Sequence, residues 1–446
     1  MVRPSTRTPE HLRNHSLSFF DQMAPPFYVP LLYLYPNHDD NNNNTPLLKL
    51  SLSKALSTYY PLAGSTGQGL HDPLTVRCND EGALFLQARM MSSPLASIVD
   101  DEARLRLLFP DDLAFRSTTA LSTPLVVQIT SFECGGMALA VCASHKVLDM
   151  SSFCSFVNHW AAAASAASSS TAAGDRIEQV PVRFDLAALF PPVDVEVTKT
   201  FDPPNVETVC RRFAFGGSSI GKLKAMMRRH GIENPTRVEA VLALVCSSAI
   251  SAAARTCCCS SDSSSRSRPG SAFLTQAVNL RPRLTSPPSI TTSSIGNLSS
   301  IFAMLIEAGA EMDLVSFVST IRRVKTEYFE TCSAEYSRGE DFRSFIVEST
   351  KVFRDAGSSE EVAAAEPRVY ISSSWCNFPV YEADFGWGKP VRVTTAAQEL
   401  KDTIVLLDTK DGDGVEALVC LEEREMAAFQ CDKMVLAFAD INNQGS

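Results

Sequence analysis

A histidine followed four residues later by an aspartate is the first pair in this 446-residue chain that could do chemistry. His145 ends the apolar stretch MALAVCASH, and Asp149 closes the segment SHKVLD. The unperturbed pKa of histidine is about 6.5, so a neutral imidazole can accept a proton at neutral pH. The motif therefore predicts a general base at His145. It is equally compatible with a core histidine that only forms hydrogen bonds. For Asp149 we favour a loop-orienting role, with an arginine as partner.

Two motifs of nucleotide-binding enzymes are present only in incomplete form. Residues 216–222 match the start of a phosphate-binding loop, but Leu223 stands where a magnesium-binding hydroxyl is needed. Asp384-Phe385-Gly386 spells the magnesium motif of protein kinases without the accompanying kinase motifs. The chain contains no Cys-x-x-Cys, which makes a structural zinc site improbable. We expect no bound metal.

Composition and charge indicate a globular protein that does not bind nucleic acid. The chain is 45% hydrophobic and 20% charged, as folded domains are. Lys and Arg number 40 against 50 Asp and Glu, for a net charge of −10, and this balance disfavours binding to a phosphate backbone. The N-terminal residues lack an apolar signal core. We expect a cytoplasmic protein without a membrane span, in which all 13 cysteines are free thiols.

The elements around the candidate base can be predicted from hydrophobic periodicity. Residues 137–145 form a buried strand with His145 at its end, and Ser151 or Ser152 caps a helix whose apolar positions recur through Trp160. The remaining predicted elements are strands at 271–280 and 368–375, a hairpin around KDGDG, a helix begun by a capping box of Thr236 and Glu239, and a last helix over 423–439. Strands and helices are mixed throughout, which predicts an α/β fold.

Two Pro-Pro pairs in residues 189–205 stop regular structure and favour an extended crossing between domains. This predicts an N-terminal domain over 1–188, a crossover loop over 189–205 and a C-terminal domain over 206–446. Low-complexity sequence is predicted to form a polar surface loop at 38–46 and a flexible excursion at 255–271, whereas residues 161–175 are predicted to continue a helix and then to lose regular structure.

A second motif, YEADFGWGKP at residues 381–390, changes the interpretation of the first. Together, His-x-x-x-Asp and Asp-Phe-Gly-Trp-Gly resemble the BAHD acyltransferases of plants, which transfer acyl groups from coenzyme A thioesters. The resemblance extends through LSFFDQ, LSTYYPLAG, LFPP, AVNLRPR, IGNLSS and SSWCNFP. The sequence of residues 373–388 is most similar to sequences of the alkaloid-acylating branch, which contains vinorine synthase. Met150 departs from the glycine that most members carry after the motif aspartate.

The resemblance implies two similarly sized chloramphenicol-acetyltransferase-like domains, with mixed β-sheets flanked by helices and a channel between them. It also implies direct transfer, in which His145 removes the acceptor proton and later returns it to the thiolate. The indole N–H of Trp375 or the hydroxyl of Ser373 would stabilise the tetrahedral oxyanion. Acyl-CoA, with acetyl-CoA favoured, would be a co-substrate rather than a permanent cofactor. The other partner would be a small-molecule acceptor, and a monomer is the family expectation.

The resemblance assigns roles to further residues. Arg281 would pair with Asp384, which would make the DFGWG motif structural. Contacts to coenzyme A are expected from Asn279, Gly388 and Lys389. Contacts to the acceptor are expected from Phe19, Phe20, Pro30 and Leu31.

The function predicted on this basis is acyl transfer to a hydroxyl of a plant specialised metabolite such as an alkaloid or terpenoid. N-acylation of an amine by the same machinery stays open. So do a cyclisation or elimination that uses His145 without coenzyme A, and a non-catalytic interaction role. Thiol release from acetyl-CoA with a panel of hydroxylated alkaloids discriminates between these classes.

Overall fold

The computed structural model describes most of the chain with gaps between segments. The described residues are 1–36, 44–66, 74–91, 93–110, 113, 122–168, 181–193, 208–258, 271–284, 290–307, 313–338, 342–350, 367–396 and 400–440. Parts of the low-complexity segments, and most of 189–205, lie outside the described residues.

Helices and strands are mixed along the described chain, as the sequence predicts. The α-helices are α1 (Phe19–Met23), α2 (Thr45–Thr58), α3 (Glu102–Arg106), α4 (Met150–Ser168), α5 (Leu186–Leu189), α6 (Gly217–Arg229), α7 (Arg237–Cys258), α8 (Leu314–Arg338), α9 (Phe342–Ser349), α10 (Glu423–Gln430) and α11 (Lys433–Phe438). Short 3-10 helices cover Glu10–Leu12, Tyr60–Ala63, Leu95–Ser97 and Val380–Glu382. The strands are β1 (Asn14–Ser16), β2 (Tyr28–Tyr35), β3 (Thr75–Arg77), β4 (Leu84–Met90), β5 (Leu125–Phe132), β6 (Met137–Ser144), β7 (Thr208–Phe215), β8 (Ala272–Asn279), β9 (Ser299–Ile306), β10 (Arg368–Ser374), β11 (Arg392–Thr394), β12 (Thr403–Asp408) and β13 (Val415–Glu422).

The chain divides into two units, each of which is discontinuous in sequence. The first comprises residues 1–197, 287–299 and 378–396, and the second comprises 198–286, 300–377 and 397–446. The first division falls inside the predicted 189–205 crossover. The two later crossings correct the prediction of contiguous domains, since residues 287–299 and the DFGWG segment join the first unit. One physical reason is sheet pairing, because β11 adds an antiparallel edge strand to β2.

The sheet of the first unit places the strand that carries His145 in its interior. Its order is β11-β2-β6-β5-β4, with β4 and β5 parallel and the other pairs antiparallel. Every residue of β2 and β6 is buried, which explains why the sequences of both strands are almost continuously apolar. Helices α2 and α4 pack together, and Trp160 Nε1 donates to Ser51 Oγ at 3.0 Å. A separate two-stranded ribbon joins β1 and β3.

The second unit contains a six-stranded mixed sheet in the order β7-β13-β12-β10-β8-β9. Strand β10 runs parallel to both β8 and β12, whereas β12, β13 and β7 are antiparallel. The predicted strands and the hairpin are therefore confirmed. Helix α7 begins with the predicted capping box, in which Glu239 N donates to Thr236 Oγ1 at 3.1 Å and Thr236 N donates to Glu239 Oε2 at 2.9 Å.

Two predicted helix ends are wrong. The cap of α4 is Asp149, whose Oδ1 accepts from Ser152 N at 2.9 Å, because a carboxylate in that position can satisfy an unpaired N–H of the first turn. The predicted helix over 423–439 is two helices, α10 and α11. Asp432 separates them, since its side chain accepts from Met434 N at 3.0 Å and starts a new helix.

The prediction of 13 free thiols is also wrong. Cys210 of β7 and Cys420 of β13 are joined in a disulfide, with their Cα atoms 4.1 Å apart. The antiparallel register places these two residues directly opposite each other, which brings their side chains together on one face of the sheet. The two cysteines are 210 positions apart in sequence, and no local sequence pattern determines the register of strands that are so far apart.

Helix α7 is buried although it has the composition of a membrane span. Within the described residues, Arg237–Thr256 is long and apolar enough to cross a membrane, and 61% of its most apolar stretch is buried inside the protein. A core helix has the same composition.

Candidate active site

The candidate base stands directly after the central strand β6. His145 N donates to the carbonyl of Phe27 at 2.8 Å, so the residue continues the pairing of β6 with the segment before β2. The Phe27 ring lies edge-on to the imidazole, with ring centroids 5.6 Å apart. His145 is partly buried, and the strand behind it is fully buried. A rigid strand thus fixes the position of the imidazole.

The imidazole is oriented by Asn297, which is 152 residues away in sequence. His145 Nδ1 lies 3.1 Å from Asn297 Oδ1. Asn297 Nδ2 donates to the carbonyl of His145 at 2.7 Å and to Asp21 Oδ1 at 2.8 Å. Because both donor hydrogens of the carboxamide are used on acceptors, its oxygen faces the imidazole and must accept. The neutral ring therefore carries its proton on Nδ1, which leaves the lone pair of Nε2 available as a base.

Asp149 holds the segment that carries Asn297. One carboxylate oxygen caps α4, and the other accepts from Leu298 N at 2.9 Å. Ser152 continues the attachment, since its Oγ donates to Gly296 O at 2.8 Å. The His-x-x-x-Asp motif thus joins the end of β6, the start of α4 and residues 296–298.

Burial lowers the pKa of His145 below its usual value, because the charged imidazolium loses hydration. The charge of Asp149 and the hydrogen bond with Asn297 act in the opposite direction, and the charge of Lys146 lowers the pKa further. Burial also lowers the pKa of Lys146 to about 8, and its Nζ donates to Gln22 O at 2.8 Å. The neutral imidazole is the favoured state at neutral pH.

Met150, the departure from the usual glycine, begins α4. Its sulfur lies 3.8 Å from Cys154 Sγ, one helical turn along. The side chain therefore packs along its own helix.

The DFGWG motif forms a compact turn in the first unit. Asp384 Oδ1 accepts from Gly386 N at 2.8 Å and from Gly388 N at 2.9 Å. Phe385 is fully buried, with its ring 5.0 Å from that of Trp160. These contacts are those of a structural motif. Arg281 belongs to the second unit, and its pairing with Asp384 stays a prediction.

The predicted oxyanion donors are neighbours at the end of β10 in the second unit. Trp375 Nε1 donates to Ser373 Oγ at 3.0 Å, so the structure brings these two side chains together. Trp375 is buried, and Ser373 is partly buried. Their role toward an oxyanion stays a prediction.

The predicted coenzyme A contacts fall in both units. Asn279 ends β8 in the second unit, where its Oδ1 accepts from Arg281 N at 3.1 Å. Gly388 and Lys389 lie in the first unit, and Lys389 Nζ forms an exposed ion pair with Glu382 at 2.6 Å. The structure does not group these residues within one unit, and their binding role stays a prediction.

The predicted acceptor contacts are packed inside the first unit. Phe19 and Leu31 are fully buried, and the Phe20 ring lies 5.2 Å from that of Phe190. Pro30 pairs with Cys142 in the centre of the sheet. Phe27, which was not predicted as a site residue, is an aromatic side chain that contacts His145. Its position just before an apolar strand was the available signal.

Asn297 and Asp21, which hydrogen bonds connect to His145, were also not predicted as site residues, although IGNLSS and LSFFDQ were both recognised as family-like segments. A polar residue inside an otherwise apolar or small-residue segment was the available signal. Within the described residues, no group of three or more His, Cys, Asp or Glu side chains could hold a metal ion.

Residues 217–221 also match the G-x-S-x-G pattern of serine hydrolases. Ser219 lies in the first turn of α6 and is not one of the non-glycine residues with positive φ. A nucleophile elbow holds its serine on a strained turn. The pattern therefore carries no evidence of a nucleophile.

Comparison with known proteins assigns the whole chain to one family. A sequence model described as the Transferase family matches residues 1–436. The chain belongs to the BAHD transferase family. Members of the BAHD family are acyltransferases that use acyl-CoA as co-substrate, so this chain is an acyl-CoA-dependent acyltransferase.

The relatives and the fold of this BAHD acyltransferase agree with that assignment. It is 36% identical to akuammiline synthase 1 of Alstonia scholaris, over 99% of this chain and 96% of that protein. It is 34% identical to a 17,18-epoxy-17-hydroxycur-19-ene N-malonyltransferase of Strychnos nux-vomica, over 99% and 89%. A limonoid 1-O-acetyltransferase of Citrus sinensis is 33% identical, over 99% and 97%. The crystal structure of vinorine synthase superimposes with a TM-score of 0.80 at 28% identity, covering 99% of this chain and 97% of that one.

Proposed function

We propose that this BAHD acyltransferase moves an acyl group, with acetyl favoured, from acyl-CoA to a hydroxyl of an alkaloid or terpenoid. The observation that supports the proposal most directly is the hydrogen bond between His145 Nδ1 and Asn297 Oδ1. It leaves Nε2 as the free base of a neutral imidazole. The names of related alkaloid and limonoid transferases support the acceptor class.

The transfer is direct in this proposal. His145 Nε2 takes the proton of the acceptor hydroxyl while the acceptor oxygen forms a bond to the thioester carbonyl carbon. Trp375 or Ser373 stabilises the resulting oxyanion, an effect worth ~10²–10³ in rate per donor. The carbon–sulfur bond then breaks, and the imidazolium returns its proton to the thiolate, which leaves as free coenzyme A.

N-acylation is the second candidate, because one relative is named as an N-malonyltransferase. The same base and the same thioester serve an amine, since the attacking nitrogen also loses a proton. The two candidates differ only in the acceptor.

The experiment measures thiol release from acetyl-CoA and malonyl-CoA with matched hydroxyl and amine acceptors, drawn from indole alkaloids and limonoids. We expect turnover with a hydroxyl acceptor. His145→Ala should lower kcat by ~10²–10⁴ because general base catalysis has that magnitude. His11→Ala, at an exposed histidine of the same unit, is the matched control and should behave as the wild type.

Wild-type turnover in His145→Ala would contradict the mechanism. Turnover with amines alone would favour N-acylation. Acceptor consumption without thiol release would favour a reaction that is independent of coenzyme A.

A further inference from the structure

Asp21 is a buried carboxylate at the far end of the hydrogen-bond chain that reaches His145. Asp21 is only 2% exposed to solvent. Oδ1 accepts from Asn297 N at 2.7 Å and from Asn297 Nδ2 at 2.8 Å. Asn297 Oδ1 in turn accepts from His145 Nδ1. A carboxylate, a carboxamide and the catalytic imidazole are therefore connected in series.

The other oxygen of Asp21 has an ordinary structural use. Oδ2 accepts from Ser18 N at 2.8 Å and from Ser18 Oγ at 2.7 Å, which completes the capping box of α1. Capping accounts for Oδ2 alone. Both hydrogen bonds to Oδ1 come from Asn297, so helix capping does not explain that half of the carboxylate.

We propose that Asp21 is a positioning residue for acyl transfer, which holds the Asn297 carboxamide in one orientation and so keeps the proton of neutral His145 on Nδ1. This inference rests on the proposed role of His145 as general base. It extends that role to a residue that does not touch the imidazole.

The orientation follows from counting donors and acceptors. A reversed carboxamide would direct its oxygen at Asp21 Oδ1 and at the carbonyl of His145, both of which can only accept. Buried acceptors without donors are costly, so this orientation is disfavoured. It would also present an N–H to His145 Nδ1 and move the ring proton to Nε2, where the base must be free.

The charge of Asp21 adds a second effect. When His145 becomes an imidazolium, a negative charge at the end of a polarised hydrogen-bond chain stabilises the new positive charge. Asp149 acts in the same direction, and Lys146 acts against it. Burial raises the pKa of Asp21, and the hydrogen bonds from Ser18 and Asn297 act in the opposite direction, in favour of the ionised form.

The test compares Asp21→Asn, which keeps the shape but loses the charge and one acceptor, with Ser18→Ala. The second variant weakens the same α1 cap and removes one of the two hydrogen bonds to Asp21 Oδ2, but it leaves the carboxylate, the bond from Ser18 N and both bonds from Asn297 to Oδ1 in place. We expect both variants to melt at a lower temperature than the wild type. Only Asp21→Asn should lose kcat, by about 10²-fold, with KM for acetyl-CoA within about threefold of the wild type. Its acid limb in kcat/KM against pH should also move to lower pH, since a charge that stabilises the imidazolium is lost.

A Ser18→Ala variant that loses kcat equally, or an Asp21→Asn variant whose kcat and acid limb match those of Ser18→Ala, overturns the proposal. The double variant Asp21→Asn with Asn297→Ala should be no slower than Asn297→Ala alone, because both residues act along one path. Additive losses would contradict that path.

A measurement without substrate separates this inference from the proposed function. Nitrogen-15 NMR of the histidine side chains, assigned with His145→Ala, should show the wild-type proton on Nδ1 at neutral pH. A proton on Nε2 would overturn the inference. If His145→Ala keeps its turnover, the general base is wrong, whereas the NMR result still reports on the hydrogen-bond chain.

Discussion

At the scale of single residues, the proposed role of His145 as general base makes its environment the determinant of the pH range of the reaction. Burial lowers the pKa of the imidazole below 6.5, and Lys146 lowers it further, against the opposite effects of Asp149 and Asn297. Only the neutral imidazole accepts a proton, so activity is present above the folded-state pKa and is lost as the pH falls through it. We therefore expect the acid limb of kcat/KM below pH 6.5, at lower pH than the limb between 6 and 7 expected for an unperturbed histidine.

The measurement is kcat/KM from about pH 4.5 to pH 8, with circular dichroism at each pH as the control for unfolding. A limb with its midpoint above pH 6.5 would contradict the expectation. This control is needed because the stability of the protein, like its activity, is expected to decline as the pH falls. Burial lowers the pKa of His15 to about 4 as well, so the unfolded state takes up protons first and stability declines as the pH falls below about 6.5.

At the scale of elements, the turn of the DFGWG motif depends on a glycine at its third position. Gly386 has φ +104°, and a Cβ there would lie 2.5 Å from Ser168 Oγ and 3.3 Å from Ser165 Cα. Gly386→Ala should therefore combine backbone strain of about 1–2 kcal/mol with overpacking against α4 of about 1–3 kcal/mol. The free energy of unfolding measured by denaturant titration should fall by the sum.

Gly412→Ala is the matched control, because Gly412 has φ +78° but no atom within 4 Å of its added Cβ. Its free energy of unfolding should fall only by the contribution of backbone strain. Equal losses in the two variants would mean that contact with α4 contributes nothing. Adding Ser168→Ala to Gly386→Ala should recover part of the loss, since the closest contact is removed.

At the scale of the whole molecule, the disulfide joins positions 210 residues apart. Mass spectrometry after alkylation without reductant should recover Cys210 and Cys420 in one linked peptide pair. The double variant Cys210→Ser with Cys420→Ser should lose about 2–4 kcal/mol of stability, the usual contribution of a disulfide. Alkylation of both cysteines in the unreduced native protein would contradict the pairing. Cys431, which is exposed and free, is the internal control and should alkylate.

Much of the local structure was determined by the sequence. The apolar run of residues 137–145 predicted β6 and placed His145 at its end. Helical periodicity predicted α4, and the Thr236–Glu239 pair predicted the start of α7. Each of these depends on residues within a few positions of one another, so composition and spacing are sufficient. The two motifs also identified the family, because the amino-acid sequences of the segments that contain them are specific to it.

Only the tertiary structure decided which distant segments meet. Asn297 reaches His145 because residues 287–299 return to the first unit between β8 and β9, and Asp21 reaches Asn297 from α1. The partner of Cys210 was decided by the register of β7 against β13, and the place of the DFGWG segment by the pairing of β11 with β2. No local pattern encodes these contacts. They depend on how buried polar groups and strand edges are satisfied across the fold, which is a property of the folded chain as a whole.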